Sequence, residues 1–364
     1  MHFCQPELIR CAVRERTVAL HPRQGVVFPV QTPEWNLVNF LMAARELTAS
    51  VTRSEAELFR VTSRSGQAVL RPTDLGKRFL DTVTEAVHAR TLLCPSHKVD
   101  PLVALLFDEC DRRGVGVTWA GGGPRSPEML VSAADTLNGC VNAIRRKAQR
   151  LDFKAKAKRW RESANGRFND LTAYFEALAD AHPASRVLRI DFGYSPSQVG
   201  LIPFDQAADD FVAAQWRALM SHLDKKMGQC VVGHAWSRDY GVTRGPVFHL
   251  VLVIDGPREH ELDALARGLM LEWQARITLG QGVSFNCLTA TGSPFSIRGG
   301  LAILEFYPVG LANVLHNAAI YLGLSDTVLT YDGPGKTPRH GRGVQPYSRQ
   351  APDGERSAWP FFAS

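Results

Sequence analysis

Apolar positions recur at helical spacing along the first part of the chain. Trp35, Leu37, Val38, Phe40, Leu41 and Leu47 predict a helix over residues 34–47. A second helix is predicted over 73–92, with Asp74 near its start, where a carboxylate complements the helix dipole. A third spans 100–112, with Leu102, Leu105, Leu106 and Cys110 on one face. The stretch 120–127 carries three consecutive glycines and two prolines and reads as a loop. It lacks the Lys-Ser/Thr of a phosphate-binding loop. This region, 1–144, is expected to be mainly helical.

From Ser185 the pattern changes. Residues 186–192 alternate like a half-buried strand, and 203–223 read as a helix carrying Phe211, Trp216, Leu219 and Met220. Residues 229–236 form a second strand, and the apolar run 247–254 a third, central one. A helix over 259–277 and a strand over 283–288 complete a β-α-β-β-α-β order, the ferredoxin/RRM-like pattern. A further strand is expected at 301–306 and a helix at 310–324. The fold class is therefore α+β, an antiparallel sheet with helices on one face. The division expected is 1–144, a basic helical linker at 145–184, the sheet domain at 185–330 and a basic Gly/Pro-rich tail at 331–364. That tail reads as irregular.

Charge changes this picture in one place. Nine of the 17 residues over 145–161 are Lys or Arg, and Asp152 is the one acid. Such a run is either a solvated helix or an arm whose cations displace counterions from phosphates. The formal charge of +6 favours an anionic partner only weakly. Seven cysteines without a C-x-x-C pair fit buried thiols in a reducing compartment. The first 20 residues carry charges where a signal peptide needs an apolar block, and no run approaches a membrane span. A cytoplasmic protein without membrane contact is expected.

Four segments together carry a resemblance: SRVLRIDFGYSP, VVGHAWSRDYGVTRGPVFHLVLVIDG, VLHNAAIYLGLSD and RHGRGVQPYSR. Over residues 185–349 the chain resembles the inovirus-type replication protein family of filamentous-phage-like prophages, itself similar to HUH-type rolling-circle initiators. The resemblance implies two histidines, one residue apart on a central strand, holding a divalent metal such as Mg or Mn. It also implies a helix tyrosine that attacks a DNA phosphate and a lysine one turn later.

The chain departs from that pattern twice. Val247 stands where the first histidine is expected, before Phe248 and His249, and Leu324 stands where the lysine is expected after Tyr321. His249, His234 and Asp239 are the candidates for a rebuilt metal site, and Tyr321 for the nucleophile. A structural reading stands beside each: a half-core strand histidine and an interfacial tyrosine. Arg145, Arg146, Lys147, Lys154, Lys156, Lys158 and Arg159 are candidate DNA contacts. So are Arg189, as a wall of the DNA groove, and Lys336, Arg339 and Arg342 in the tail. Trp236, Tyr240 and Trp273 are candidates for stacking on bases.

The function expected is a DNA-binding, replication-initiator-like protein of a mobile element, with nicking reduced or lost and single-stranded DNA as partner. The alternatives are an active metal-dependent nickase and an interaction module on the same fold that binds no DNA. Oligomeric state is not legible in the sequence.

Overall fold

The computed structural model describes residues 17–23, 26–64, 67–116, 126–199, 202, 205–227, 230–255, 259–287, 310–335 and 337–344. The expected strand at 301–306, most of the glycine loop and Lys336 lie outside them.

Four helices build the first core: α1 (Pro33–Arg53), α2 (Asp74–Thr91), α3 (Pro101–Arg112) and α4 (Pro127–Ala148). Their starts are chemically fixed. Thr73 accepts the Gly76 amide at 3.0 Å, and Asp100 accepts that of Leu102 at 2.8 Å. Leu37, Leu41, Phe79, Val103, Leu106, Leu137 and Ile144 then close on one another from all four helices.

Strands that the sequence reading did not anticipate also belong to this half. Two antiparallel hairpins, β1 (Val18–Arg23) with β2 (Val26–Gln31) and β3 (Phe59–Arg64) with β4 (Gln67–Pro72), flank α1. Their six-residue strands are too short to show a period, and Pro22, Pro29 and Pro72 interrupt the pattern within three of them. Asn138 on α4 holds β3, accepting the Phe59 amide at 3.2 Å and donating to its carbonyl at 2.7 Å.

The basic run is split between the end of α4 and the start of α5 (Leu151–Ala181), a helix of 31 residues. Phe153, Ala157, Trp160 and Ala164 make its inward stripe, and Trp160 donates its indole N–H to the Thr327 carbonyl at 2.8 Å.

The second half is a five-stranded antiparallel sheet. Its strands are β6 (Arg186–Tyr194), β7 (Val231–Gly241), β8 (Gly245–Ile254), β9 (Gly282–Asn286) and the short β11 (His340–Arg342). The order is β11-β7-β8-β6-β9, so β8 is central, and all ten of its residues are buried. A strand covered on both faces reads as a continuous apolar run. Helices indeed cover both faces, which corrects the expectation of one. On one side lie α6 (Gln206–Met227) and α7 (Glu259–Leu271), the latter continuing as a π-helical turn over Glu272–Ile277. They enclose Phe192, Trp216, Phe248, Leu250 and Trp273. On the other side, α5 and α8 (Leu311–Gly323) pack Phe168, Phe175 and Ile320 against Ala235, Val251 and Val253.

The halves are stitched together. Strand β10 (Leu329–Tyr331) pairs with β5 (His97–Val99). The β7–β8 turn is gripped by α1: Glu34 accepts the Thr243 amide at 2.7 Å and its hydroxyl at 2.5 Å. Burial pushes the Glu34 carboxyl up, but these bonds outweigh it and hold the group below its ordinary value. Its stabilising contribution is thus complete above about pH 4.3 and is lost as pH falls through the folded value. Glu34→Gln should cost about 1–3 kcal/mol at pH 7. The gap to wild type should shrink in acid, as read by urea unfolding at pH 7 and pH 3.

The described part of the tail is also tied to the rest of the chain. Arg342 makes a bidentate pair with Asp170 of α5, both contacts at 2.8 Å, and Arg339 donates to the Tyr331 carbonyl at 2.8 Å.

Candidate functional site

Strand alternation sets which side chains can meet. Ser237, His249 and Asp191 are in register across β7, β8 and β6, and Ala235, Val251 and Arg189 form the next row. Side chains on one row share a face. That face lies under α5 and α8, and Tyr321 of α8 reaches down onto it.

The four polar groups close into one buried network. Arg189 donates to both Asp191 oxygens, Nε to Oδ1 at 3.2 Å and Nη2 to Oδ2 at 2.8 Å. Arg189 Nη2 also donates to the Tyr321 hydroxyl at 2.5 Å, and its guanidinium stands 3.9 Å from the Tyr321 ring centroid. His249 Nδ1 lies 2.9 Å from Asp191 Oδ1 and 2.9 Å from Tyr321 Oη. A carboxylate only accepts, so the ring proton sits on Nδ1, shared between these two oxygens. Burial pushes the Asp191 carboxyl up, but Arg189 and His249 overcome it and hold the group well below the carboxylate range.

Burial decides what this arrangement can do. Exposure is 2% for Tyr321, 1% for His249, 2% for Asp191 and 4% for Arg189. The Tyr321 hydroxyl is enclosed, and its ring stands edge-on to that of His249 at 5.4 Å. No phosphate reaches it in this arrangement. Arg189 is therefore neither a surface residue nor a wall of an open groove. Alternation marked it as facing away from Leu188 and Ile190; it could not reveal that a helix covers the second face.

The metal candidates are separated by the sheet. His234 lies on the face that carries Trp236 and Arg238, toward α6, and so is not brought to His249. Asp239 is on the correct face, its Oδ2 3.8 Å from His249 Nε2 and 3.9 Å from Arg244 Nη2. Val247 is paired with Asp239 in register, where the resemblance would have a ligand. His249 with Asp239 on one side and Asp191, already held by Arg189, on the other, all beside Arg244, does not fit a divalent ion. Among the described residues, no group of three or more His, Cys, Asp or Glu is placed to hold one. His316 packs edge-on against Phe168 at 5.6 Å, and Leu324 is buried in the same core.

The basic candidates divide in a similar way. Arg145 is tied to backbone, Nε donating to Val51 at 3.2 Å and Nη2 to Ala56 at 2.7 Å. Lys147 joins Arg112 and Arg113 around the buried Glu109. Arg339 and Arg342 anchor the tail. Arg146, Lys154, Lys156, Lys158 and Arg159 are exposed. The aromatic candidates are engaged: Trp273 is fully buried, Trp236 meets Trp216 at 5.3 Å, and Tyr240 stacks on Tyr331 at 5.4 Å.

Sequence reasoning missed Glu34 and the Glu109 cluster. The only signal was an acid in a first helical turn and an acid three and four residues before two arginines. A search of protein-family models, curated proteins and solved structures finds no match to this chain.

Proposed function

We propose that this is a DNA-binding protein on a replication-initiator-like, ferredoxin/RRM-like scaffold, one that holds DNA without cutting it. The observation that carries the reading is the closed network of Arg189, Asp191, His249 and Tyr321. It occupies the places where the resemblance puts metal and nucleophile, and it uses the tyrosine as a structural acceptor. The β-α-β-β-α-β order and the central position of β8 support the scaffold. The exposed cations at the start of α5 support an anionic polymer as partner.

The test is anisotropy of a labelled oligonucleotide with the full chain at increasing salt. Binding whose logarithm falls linearly with the logarithm of salt supports the reading. Absence of binding at low salt contradicts it and favours the interaction module.

A further inference from the structure

The distribution of charge around α5 carries a second step, which rests on the DNA reading above. An α-helix turns by about 100° per residue. With the stripe of Phe153, Ala157, Trp160 and Ala164 facing the protein, Lys154, Lys158 and Arg161 fall on one flank. Lys156 and Arg159 fall on the other. The crest between the flanks, pointing outward, carries the exposed Leu151 at the helix start, the small Ala155 and then Glu162, which pairs with Lys158 at 3.6 Å. The one acid on the second flank in these turns is Asp152, paired with Arg150. All five cations are exposed.

This pattern matches a groove with two charged walls. The B-DNA major groove is about 12 Å wide and admits a helix of about 10–12 Å diameter. Cations on both flanks then meet phosphates of both strands, and a small crest residue lets the helix settle between them. A single strand has one backbone, and its binding surfaces add exposed aromatic rings on which bases stack. Here Phe153 and Trp160 belong to the inward stripe. Among the described residues, the large apolar side chains left most exposed include one aromatic ring, Phe211 of α6. An RNA duplex offers a deep, narrow major groove that excludes a helix. The geometry points to the first turns of α5 as a major-groove element for duplex DNA, in place of the single strand expected from the sequence.

The experiment uses the full chain and three probes of equal length: duplex DNA, its single strand and the matching RNA duplex. Duplex DNA should bind at least about tenfold more tightly than either other probe, with a salt slope near −0.9 per phosphate contacted. The variants Lys154→Gln/Lys158→Gln/Arg161→Gln and Lys156→Gln/Arg159→Gln should each weaken duplex binding and flatten that slope by roughly two to three and two units respectively. Circular dichroism should show the fold unchanged, since these side chains are exposed. Tighter or equal binding of the single strand, equal binding of the RNA duplex, or no effect from one flank would each overturn the groove assignment. Lack of salt-sensitive binding to every probe would instead remove the DNA reading, and the groove assignment with it.

Discussion

Asp191→Ala should destabilise the fold by about 3–5 kcal/mol, the cost of leaving a buried charge without its partner. Arg189 is almost fully enclosed, and both of its contacts to Asp191 are within hydrogen-bond range. Without the carboxylate, the guanidinium still meets the Tyr321 hydroxyl and ring but loses its two charge-assisted hydrogen bonds to Asp191. His249 loses the charged one of its two acceptors as well. Asp191→Asn, which keeps the shape and an acceptor oxygen, should cost less. The pH dependence follows from the depressed carboxyl. Its contribution is complete above about pH 4 and is lost only as pH falls through the much lower folded value. Urea unfolding of the three proteins at pH 7 measures the ordering. An alanine variant within about 0.5 kcal/mol of wild type would mean that the network carries little of the stability.

Leu324→Lys is the second large effect, an expected loss of stability. The resemblance alone makes a lysine at 324, together with histidine at 247, a route back to nicking activity. Leu324 instead caps α8 and is 3% exposed, in a core with Phe168, Leu315 and Leu322. The cluster around it is apolar, and the buried Asp326 two residues on is already paired with Arg167. The expected result is a loss of about 3–5 kcal/mol and no gain in DNA cleavage. Thermal unfolding of Leu324→Lys beside Leu324→Met separates charge from shape, the methionine variant staying within about 1.5 kcal/mol. A lysine variant as stable as wild type would show that α8 leaves room for a charge at this position.

Much of the architecture is legible in the sequence because periodicity reports local structure. The run at 247–254 lies within β8, and the helices over 34–47, 73–92 and 100–112 correspond to α1, α2 and α3. What was not legible depends on how elements stack. Arg189 and Asp191 looked like a polar face because alternation tells which side a residue is on, not what covers that side. His234 and His249 looked like partners because both sit on neighbouring strands; the register sends them to opposite faces. The hairpins β1–β2 and β3–β4 escaped because six-residue strands, three of them holding a proline, carry little periodic pattern. The tail looked irregular because its order comes from distant partners, Asp170 for Arg342 and the Tyr331 carbonyl for Arg339.

Tyr321 is buried and accepts from Arg189, and on the reading proposed above it does not act as a nucleophile. A single measurement confronts that reading: wild type and Tyr321→Phe are incubated with single-stranded DNA and manganese, then separated on a denaturing gel. No covalent protein–DNA adduct is expected from either protein. Tyr321→Phe should also lose about 1–3 kcal/mol of stability, because Arg189 and His249 lose a shared acceptor inside the core. A strong adduct from wild type that disappears in Tyr321→Phe would contradict that reading.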